Sequence, residues 1–144
     1  MLFNGEWYLD SDGLLRPVIR GEVATGSGSW VQVVFLVDTG AERTVFSACI
    51  LAALGLPPVP SGDRLSGVGG TADSVTVETQ IHLMRVTGEW VVFRGQFPAM
   101  TRPESLDMSV LGRDIINLFA LVVDRPSDRV CLLGQRHRYT IETV

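Results

Sequence analysis

The sequence predicts an all-β domain with two short helices. Most of its 144 residues alternate between apolar stretches of strand length and turns rich in glycine. Signals of a helix follow Ser47 and Gly112, and both of these stretches are short. Hydrophobic residues make up 46% of the chain and charged residues 19%, which fits a folded protein with a core and argues against disorder. At this length we expect a single domain, residues 1–144.

The first part of the chain predicts a hairpin of two strands. Residues 16–23 and 30–37 are rich in apolar side chains and are joined by a glycine–serine turn. In the second strand apolar residues occupy both faces, which indicates a strand that is covered on both sides. Asp38 follows directly, so we expect its carboxylate to emerge from the core.

A short helix and a second sheet region are predicted next. Ser47 can cap a helix that runs to about Leu54, and Gly55 would end it. The stretch 61–70 contains too many glycines for the interior of a regular element. Residues 75–83 then alternate between apolar and polar, as expected of a half-buried strand.

The remaining elements are shorter. Residues 90–93 predict another strand, which the pair at 97–98, Phe and Pro, is expected to end. A short helix fits residues 113–119. Strands are predicted over 120–124 and 129–133, joined by a tight turn.

Composition also excludes several classes of function. The net charge is −4 and the basic residues form no cluster, so we expect no nucleic-acid partner. The longest apolar run, 33–37, is too short to cross a bilayer, and no signal peptide is visible, so we expect a cytoplasmic protein, whole or as a piece of a longer one. His82 and His137 have no companions for a metal site and are expected on the surface. Cys49 and Cys131 are expected to be buried free thiols.

A carboxylate follows the second strand of the hairpin, in the run AspThrGlyAla at 38–41. Asp and Gly are common turn residues and Thr suits the end of a strand, so the run by itself fits a plain exit from strand to turn. An ionisable group at the end of a buried strand is costly unless it is paired, hydrogen-bonded or used, which favours a functional carboxylate. The run taken alone leaves both interpretations open.

Four blocks of residues stand in order along the chain: PheLeuValAspThrGlyAla at 35–41, ThrValPheSer at 44–47 with LeuGlyLeuPro at 54–57, LeuSerGlyValGlyGly at 65–70, and ValLeuGlyArgAsp at 110–114. In this order they resemble the retropepsin family, the single-domain aspartic proteases of retroviruses, retrotransposons and related bacterial proteins. The resemblance implies a closed, barrel-like acid protease fold with one or two short helices and a flap, the mobile hairpin that closes over the substrate.

The resemblance also implies a catalytic site. Asp38 would be the catalytic residue, and Thr39, Gly40 and Ala41 would support its loop. A Cβ at Gly40 would obstruct the approach of backbone amides to the carboxylate. The chain contains AspThrGly once, so the second carboxylate must come from another subunit and we expect a homodimer. The two carboxylates would share one proton, so that one activates water and the other donates to the peptide carbonyl.

Two further groups of residues are implied to serve this site. The flap and substrate-binding residues are Leu65, Gly67, Val68, Gly69 and Gly70. The residues that support the catalytic loop are Leu111, Gly112, Arg113 and Glu42, and Arg113 is expected to pair with Glu42. Each group has a plainer explanation, since glycine-rich surface loops are ordinary and Arg113 fits a helix charge that faces solvent.

The chain is therefore predicted to be an aspartic endopeptidase, active as a homodimer, that hydrolyses polypeptides through an activated water without a metal or another cofactor. The alternative is a module of the same fold that dimerises or binds a peptide without cleaving it, or that processes only its own precursor. The strands over 120–124 and 129–133 could form the dimer interface as a hairpin. The resemblance covers roughly residues 16–133, and the tail, 134–144, has no assignment.

Overall fold

The structure is a computed structural model, and it describes residues 1–60, 65–67, 70–134 and 143, with the backbone alone over 65–67 and 70–72. The described part contains eleven strands and two α-helices. They are β1 (Leu2–Asn4), β2 (Glu6–Leu9), β3 (Leu15–Ala24), β4 (Trp30–Val37), α1 (Ala48–Leu54), β5 (Leu65–Gly67), β6 (Gly70–Ala72), β7 (Ser74–Met84), β8 (Trp90–Met100), β9 (Val110–Leu111), α2 (Arg113–Ile116), β10 (Ala120–Asp124) and β11 (Arg129–Leu133).

The main sheet has the strand order β8-β7-β3-β4-β9, and β2 pairs with β3 outside this path. The predicted hairpin is confirmed, because β3 and β4 pair antiparallel from Val18 opposite Leu36 to Ala24 opposite Trp30. β9 joins the other side of β4 in parallel, with Leu111 beside Val37. The strand that leads to Asp38 therefore lies between two neighbours in the sheet.

The mostly-β architecture with short helices is confirmed, whereas the closed barrel is not. The two ends of the main sheet, β8 and β9, approach each other through single bridges from Val45 to Val110 and from Phe46 to Ala99. Within the described residues no strand pairing closes the sheet beyond these bridges.

A second sheet joins the first strand to the last ones. Its order is β1-β11-β10, with Leu2 and Ala120 on the two sides of Leu133. The bounds of β10 and β11 match the predicted strands. Phe3 and Leu132 carry this sheet into the main core, where both are almost fully buried.

Helix α1 follows its sequence signals from end to end. Ser47 occupies the N-cap, and its hydroxyl accepts a hydrogen bond from the Ile50 N–H. Gly55 follows the last turn in the left-handed conformation, with φ of 60°. Leu54 is buried, and Ile50 and Leu51 are partly buried against the same core.

Helix α2 is shorter than predicted, since it ends at Ile116 and not at Phe119. The next residues form turns, and the ring of Phe119 packs edge-on against Phe3 at 5.3 Å and lies 6.2 Å from Phe93. The N–H groups of Leu118 and Phe119 bond to carbonyls three positions earlier, which tightens the chain and ends the α-helix, and Leu118 is left 64% exposed.

The prediction that the pair Phe97 and Pro98 ends a strand is wrong, because β8 continues to Met100. The carbonyl of Pro98 accepts from the N–H of Phe46, on the side of β8 that faces away from β7. In a strand the N and the carbonyl of one residue point to the same side, so the missing N–H of Pro98 removes no bond to β7.

The glycine content of the stretch 61–70 argued against a regular element, whereas the resemblance implied a hairpin, and β5 and β6 do pair antiparallel. Leu65 pairs with Ala72, and Gly67 with Gly70. A hairpin needs only backbone N–H and carbonyl groups, which glycine supplies like any other residue. The predicted flap residues Val68 and Gly69 lie outside the described residues.

Two burial expectations are wrong. Cys49 is exposed, because its apolar neighbours in sequence point to another side of α1. Cys131, in β11, is half-buried. His82 is half-buried on its strand and not on the open surface, with Trp30 and Trp90 at ring-centroid distances of 4.0 and 5.9 Å. In the described part of the chain no helix has the length and apolar character that a membrane span requires.

Candidate active site

Asp38 lies where β4 ends and its backbone turns. Its N–H donates to the carbonyl of Leu111 at 3.1 Å, and its own carbonyl accepts from the Ala41 N–H at 3.2 Å. Its carboxylate oxygen Oδ1 accepts from the Gly40 N–H at 2.9 Å. The side chain is half-buried, so the carboxylate is held by the backbone of its own turn while part of it stays accessible.

Gly40 fits this turn because it has no side chain. A Cβ at this position would lie 3.2 Å from Asp38 Oδ1, tighter than an ordinary contact. The N–H of residue 40 is the group that holds the carboxylate, so crowding on this side would push the carboxylate away from its donor.

The start of α2 is bonded to the turn. The Arg113 N–H donates to the carbonyl of Ala41 at 2.9 Å, and the Arg113 guanidinium Nη1 donates to the carbonyl of Thr39 at 2.9 Å. Thr39 and Arg113 are 74 positions apart in sequence. The fold thus brings together Thr39, Ala41 and the residues at 111–113 that the sequence had suggested as supports.

The expected ion pair between Arg113 and Glu42 does not occur among the described contacts. The guanidinium of Arg113 instead reaches the Thr39 carbonyl, and Glu42 takes part through its backbone carbonyl, which accepts from the Asp114 N–H at 3.2 Å. The carbonyl at the exposed turn attracts the cation because it has no strand partner there. Both residues still join the catalytic turn to the start of α2, Arg113 through its side chain and Glu42 through its backbone carbonyl.

Gly112 marks the point where this segment crosses the chain that follows the turn. A Cβ on Gly112 would lie 2.7 Å from Thr44 N and closer still to the carbonyl group of Arg43. Its φ is −96°, a value open to any residue, so the requirement for glycine comes from the close approach and not from the backbone angle. The glycine therefore sets how closely α2 packs beneath the Asp38 turn.

Thr44 and Asp114 form a hydrogen-bonded pair that the sequence did not reveal. The Asp114 carboxylate accepts from the Thr44 hydroxyl at 2.7 Å and from the Thr44 N–H at 3.0 Å. The hydroxyl in turn accepts from the Gly112 N–H at 3.0 Å. The available signals were a threonine at the start of ThrValPheSer and an acid in the first turn of a helix, and neither is specific.

A small apolar cluster borders the turn, apart from the main core. It consists of buried Val45, Met100 and Val110 with partly buried Leu36, Ala41 and Leu106. Ala41 belongs to the turn itself, and Leu36 precedes Asp38 by two positions in β4. The cluster therefore borders the segment that carries Asp38 on both sides in sequence.

The predicted flap residues are not brought to this site by any described contact. Leu65, Gly67 and Gly70 belong to the separate β5–β6 hairpin. Among the described residues, Asp38 shares no hydrogen bond with a second carboxylate, and no group of three metal-binding side chains is found.

Comparisons with known proteins identify the family and the fold. A family model described as aspartyl protease matches residues 21–136. A retropepsin-like aspartic protease from Rickettsia conorii is similar in structure, with a TM-score of 0.53, 18% identity, and coverage of 92% of this chain and 97% of that chain.

Two further structures are less similar. The EIAV protease complexed with the inhibitor HBY-793 has a TM-score of 0.49 and 21% identity, with 71% of this chain and 86% of that one covered. The retroviral protease-like domain of Ddi1 from Leishmania major has a TM-score of 0.44 and 14% identity, over 81% and 94% of the two chains. No curated protein sequence matches the chain.

Proposed function

The chain belongs to the aspartyl protease family, and on this premise we propose that it is an aspartic endopeptidase that works as a homodimer, with one Asp-Thr-Gly turn from each subunit. The observation that carries the proposal is the Asp38 carboxylate at the end of β4, with Oδ1 held by the Gly40 N–H. A carboxylate that follows a strand with one buried face and is fixed by a backbone donor is suited to chemistry at one defined position.

The homodimer is proposed because a single carboxylate cannot serve as base and acid at the same time. Peptide hydrolysis of this kind needs a base and an acid, and two neighbouring carboxylates supply both because they share a single proton. The chain contains AspThrGly once, at 38–40. The second member of the pair is therefore Asp38 of a second subunit, placed across a twofold axis.

In the proposed reaction the ionised Asp38 removes a proton from a water molecule, whose oxygen attacks the peptide carbonyl. The protonated Asp38 of the other subunit donates its proton to the carbonyl oxygen. Collapse of the tetrahedral intermediate breaks the C–N bond, and the proton taken from water passes to the leaving nitrogen. As the intermediate collapses, one of its hydroxyl groups returns a proton to the second Asp38, so the products are a carboxylic acid and an amine and only the peptide and water are consumed.

The surroundings of the turn favour apolar substrate side chains. Leu36 and Ala41 lie beside Asp38 and belong to the apolar cluster that also includes Val110. Burial of an apolar substrate side chain there would contribute roughly 1.5–3 kcal/mol to binding. In this proposal Leu65, Gly67, Val68, Gly69 and Gly70 form the flap of the cleft.

Cleavage of an unstructured protein such as casein, measured across pH, tests the proposal. Asp38→Asn should abolish cleavage while the protein still folds and dimerises. Asp12→Asn is the matched control, because it makes the same chemical change at an exposed turn position and should leave cleavage intact. Pepstatin should inhibit the unmutated protein.

Two results would contradict the proposal. Full cleavage by Asp38→Asn would remove the mechanism. Absence of cleavage at every pH, from a protein that sedimentation shows to be dimeric, would favour a module that binds a peptide without hydrolysing it.

A further inference from the structure

We propose that Thr44 and Asp114 are positioning residues that hold the Asp38 turn in its working geometry. The inference rests on the proposed function, because the geometry concerned is that of the proposed catalytic carboxylate. Neither side chain touches the site of reaction, and both act through the backbone around Gly112.

The Asp114 carboxylate is bound by several donors at once. Its Oδ1 accepts from Thr44 Oγ1 at 2.7 Å, from Thr44 N at 3.0 Å and from its own neighbour Ile115 N at 2.9 Å. Its Oδ2 lies 3.0 Å from Thr44 N as well. Hydrogen bonds to an ionised acceptor are stronger than those between neutral groups, so Thr44 and the start of α2 are bound firmly to each other.

The same threonine links this pair to the backbone beneath the turn. Thr44 Oγ1 donates to Asp114 and accepts from the Gly112 N–H at 3.0 Å, so the hydroxyl uses its donor and an acceptor position together. Thr44 is fully buried and the bond from the Gly112 N–H is buried as well, so water does not readily replace this acceptor if the hydroxyl is removed.

The residues on both sides of Gly112 hold the turn itself. The Leu111 carbonyl accepts from the Asp38 N–H, and Arg113 donates to the carbonyls of Thr39 and Ala41. A displacement of Gly112 relative to Thr44 would therefore be transmitted to both ends of the turn. The Asp38 carboxylate has to meet its counterpart in the other subunit, so a small shift changes the catalytic geometry more than it changes substrate binding.

Thr44→Val is the sharpest test, because valine keeps the size and branching of threonine and removes only the hydroxyl. We expect kcat to fall by about 10-fold to 100-fold with KM nearly unchanged, since the substrate-binding surface stays in place. Thr44→Ser keeps the hydroxyl and should restore most of kcat, and Asp114→Ala should reproduce the loss.

Thr79→Val is the matched control. Thr79 is also buried, and its hydroxyl donates to the carbonyl of Ala24 at 2.8 Å, within the main sheet. Thr44→Val removes two bonds of a buried hydroxyl and Thr79→Val removes one, so both variants should lose stability, Thr44→Val the more, and kcat is compared under conditions where both are folded. A purely structural role for Thr44 predicts that both variants keep the kcat of the unmutated protein wherever they are folded, and that result would overturn the proposal.

Amide hydrogen exchange separates this inference from the proposed function. We expect faster exchange at the N–H groups of Asp38, Gly40 and Ala41 in Thr44→Val, and no change there in Thr79→Val. If the unmutated protein cleaves nothing, the proposed function fails, while the exchange result still decides whether Thr44 holds the turn. Equal exchange at the turn in both variants would overturn the positioning role even in an active enzyme.

Discussion

Gly112→Ala should be among the most damaging single-methyl additions in the described chain. The added Cβ would lie 2.7 Å from Thr44 N and closer to the carbonyl group of Arg43, and all of these are backbone atoms. A side chain could rotate away from such a clash, whereas backbone atoms can yield only if α2 moves away from the segment that follows the Asp38 turn. Backbone strain at residue 112 adds nothing, because its φ of −96° suits alanine.

The magnitude follows from the cost of overpacking. Extra atoms in a well-packed interior usually cost about 1–3 kcal/mol, and a clash with fixed backbone belongs at the upper end, about 3 kcal/mol. For a chain of this length that corresponds to a fall in Tm of about 10 °C. Movement of α2 would also disturb the bonds of Arg113 to the turn, so activity should fall further than stability alone explains.

Urea unfolding at one fixed protein concentration measures the effect, since the stability of the proposed dimer would depend on concentration. Gly95→Ala is the control, because the nearest atom to a Cβ there is Phe97 Cζ at 4.0 Å. That variant should remain within about 1 kcal/mol of the unmutated protein. Equal stabilities for the two alanine variants would refute the reasoning, because they would show that the crossing at Gly112 has room for a methyl group.

Two further predictions concern stability. The pKa of Asp10 is lowered, chiefly by the hydrogen bond from the Leu14 N–H and further by the Asp12 N–H and Arg16, against the opposing effect of burial. The ionised Asp10 carboxylate therefore stabilises the fold above the ordinary value of 3.8, and this contribution is lost as pH falls through the lowered value. The difference in unfolding free energy between the unmutated protein and Asp10→Asn should accordingly shrink between pH 7 and pH 3; a constant difference in urea titrations would contradict this assignment. Ser109→Ala should cost about 1–3 kcal/mol in the same assay, because the buried Ser47 N–H loses its acceptor at 3.0 Å, and an unchanged urea midpoint would contradict it.

The sequence by itself predicted the elements whose signals are local. Ser47 and Gly55 mark the two ends of α1, since a hydroxyl at the N-cap and a left-handed glycine at the C-cap satisfy backbone groups within a few residues. The hairpins β3–β4 and β10–β11 are equally local, because the turn between two apolar strands brings their edges together. Asp38 drew notice for the same reason, as a charged residue directly after an apolar strand, and the four ordered blocks then implied its role.

Only the tertiary structure decided how distant segments meet. Arg113 binds the Thr39 carbonyl and not Glu42, and Asp114 binds Thr44 from 70 positions away. β8 continues through Pro98 because this residue faces Phe46, where its carbonyl accepts a hydrogen bond, and its missing N–H is not needed for the pairing with β7. Such contacts depend on where the whole chain places each backbone group, and a hydrogen bond is made or lost over a few tenths of an ångström, which no pattern of residue types along a single segment can specify.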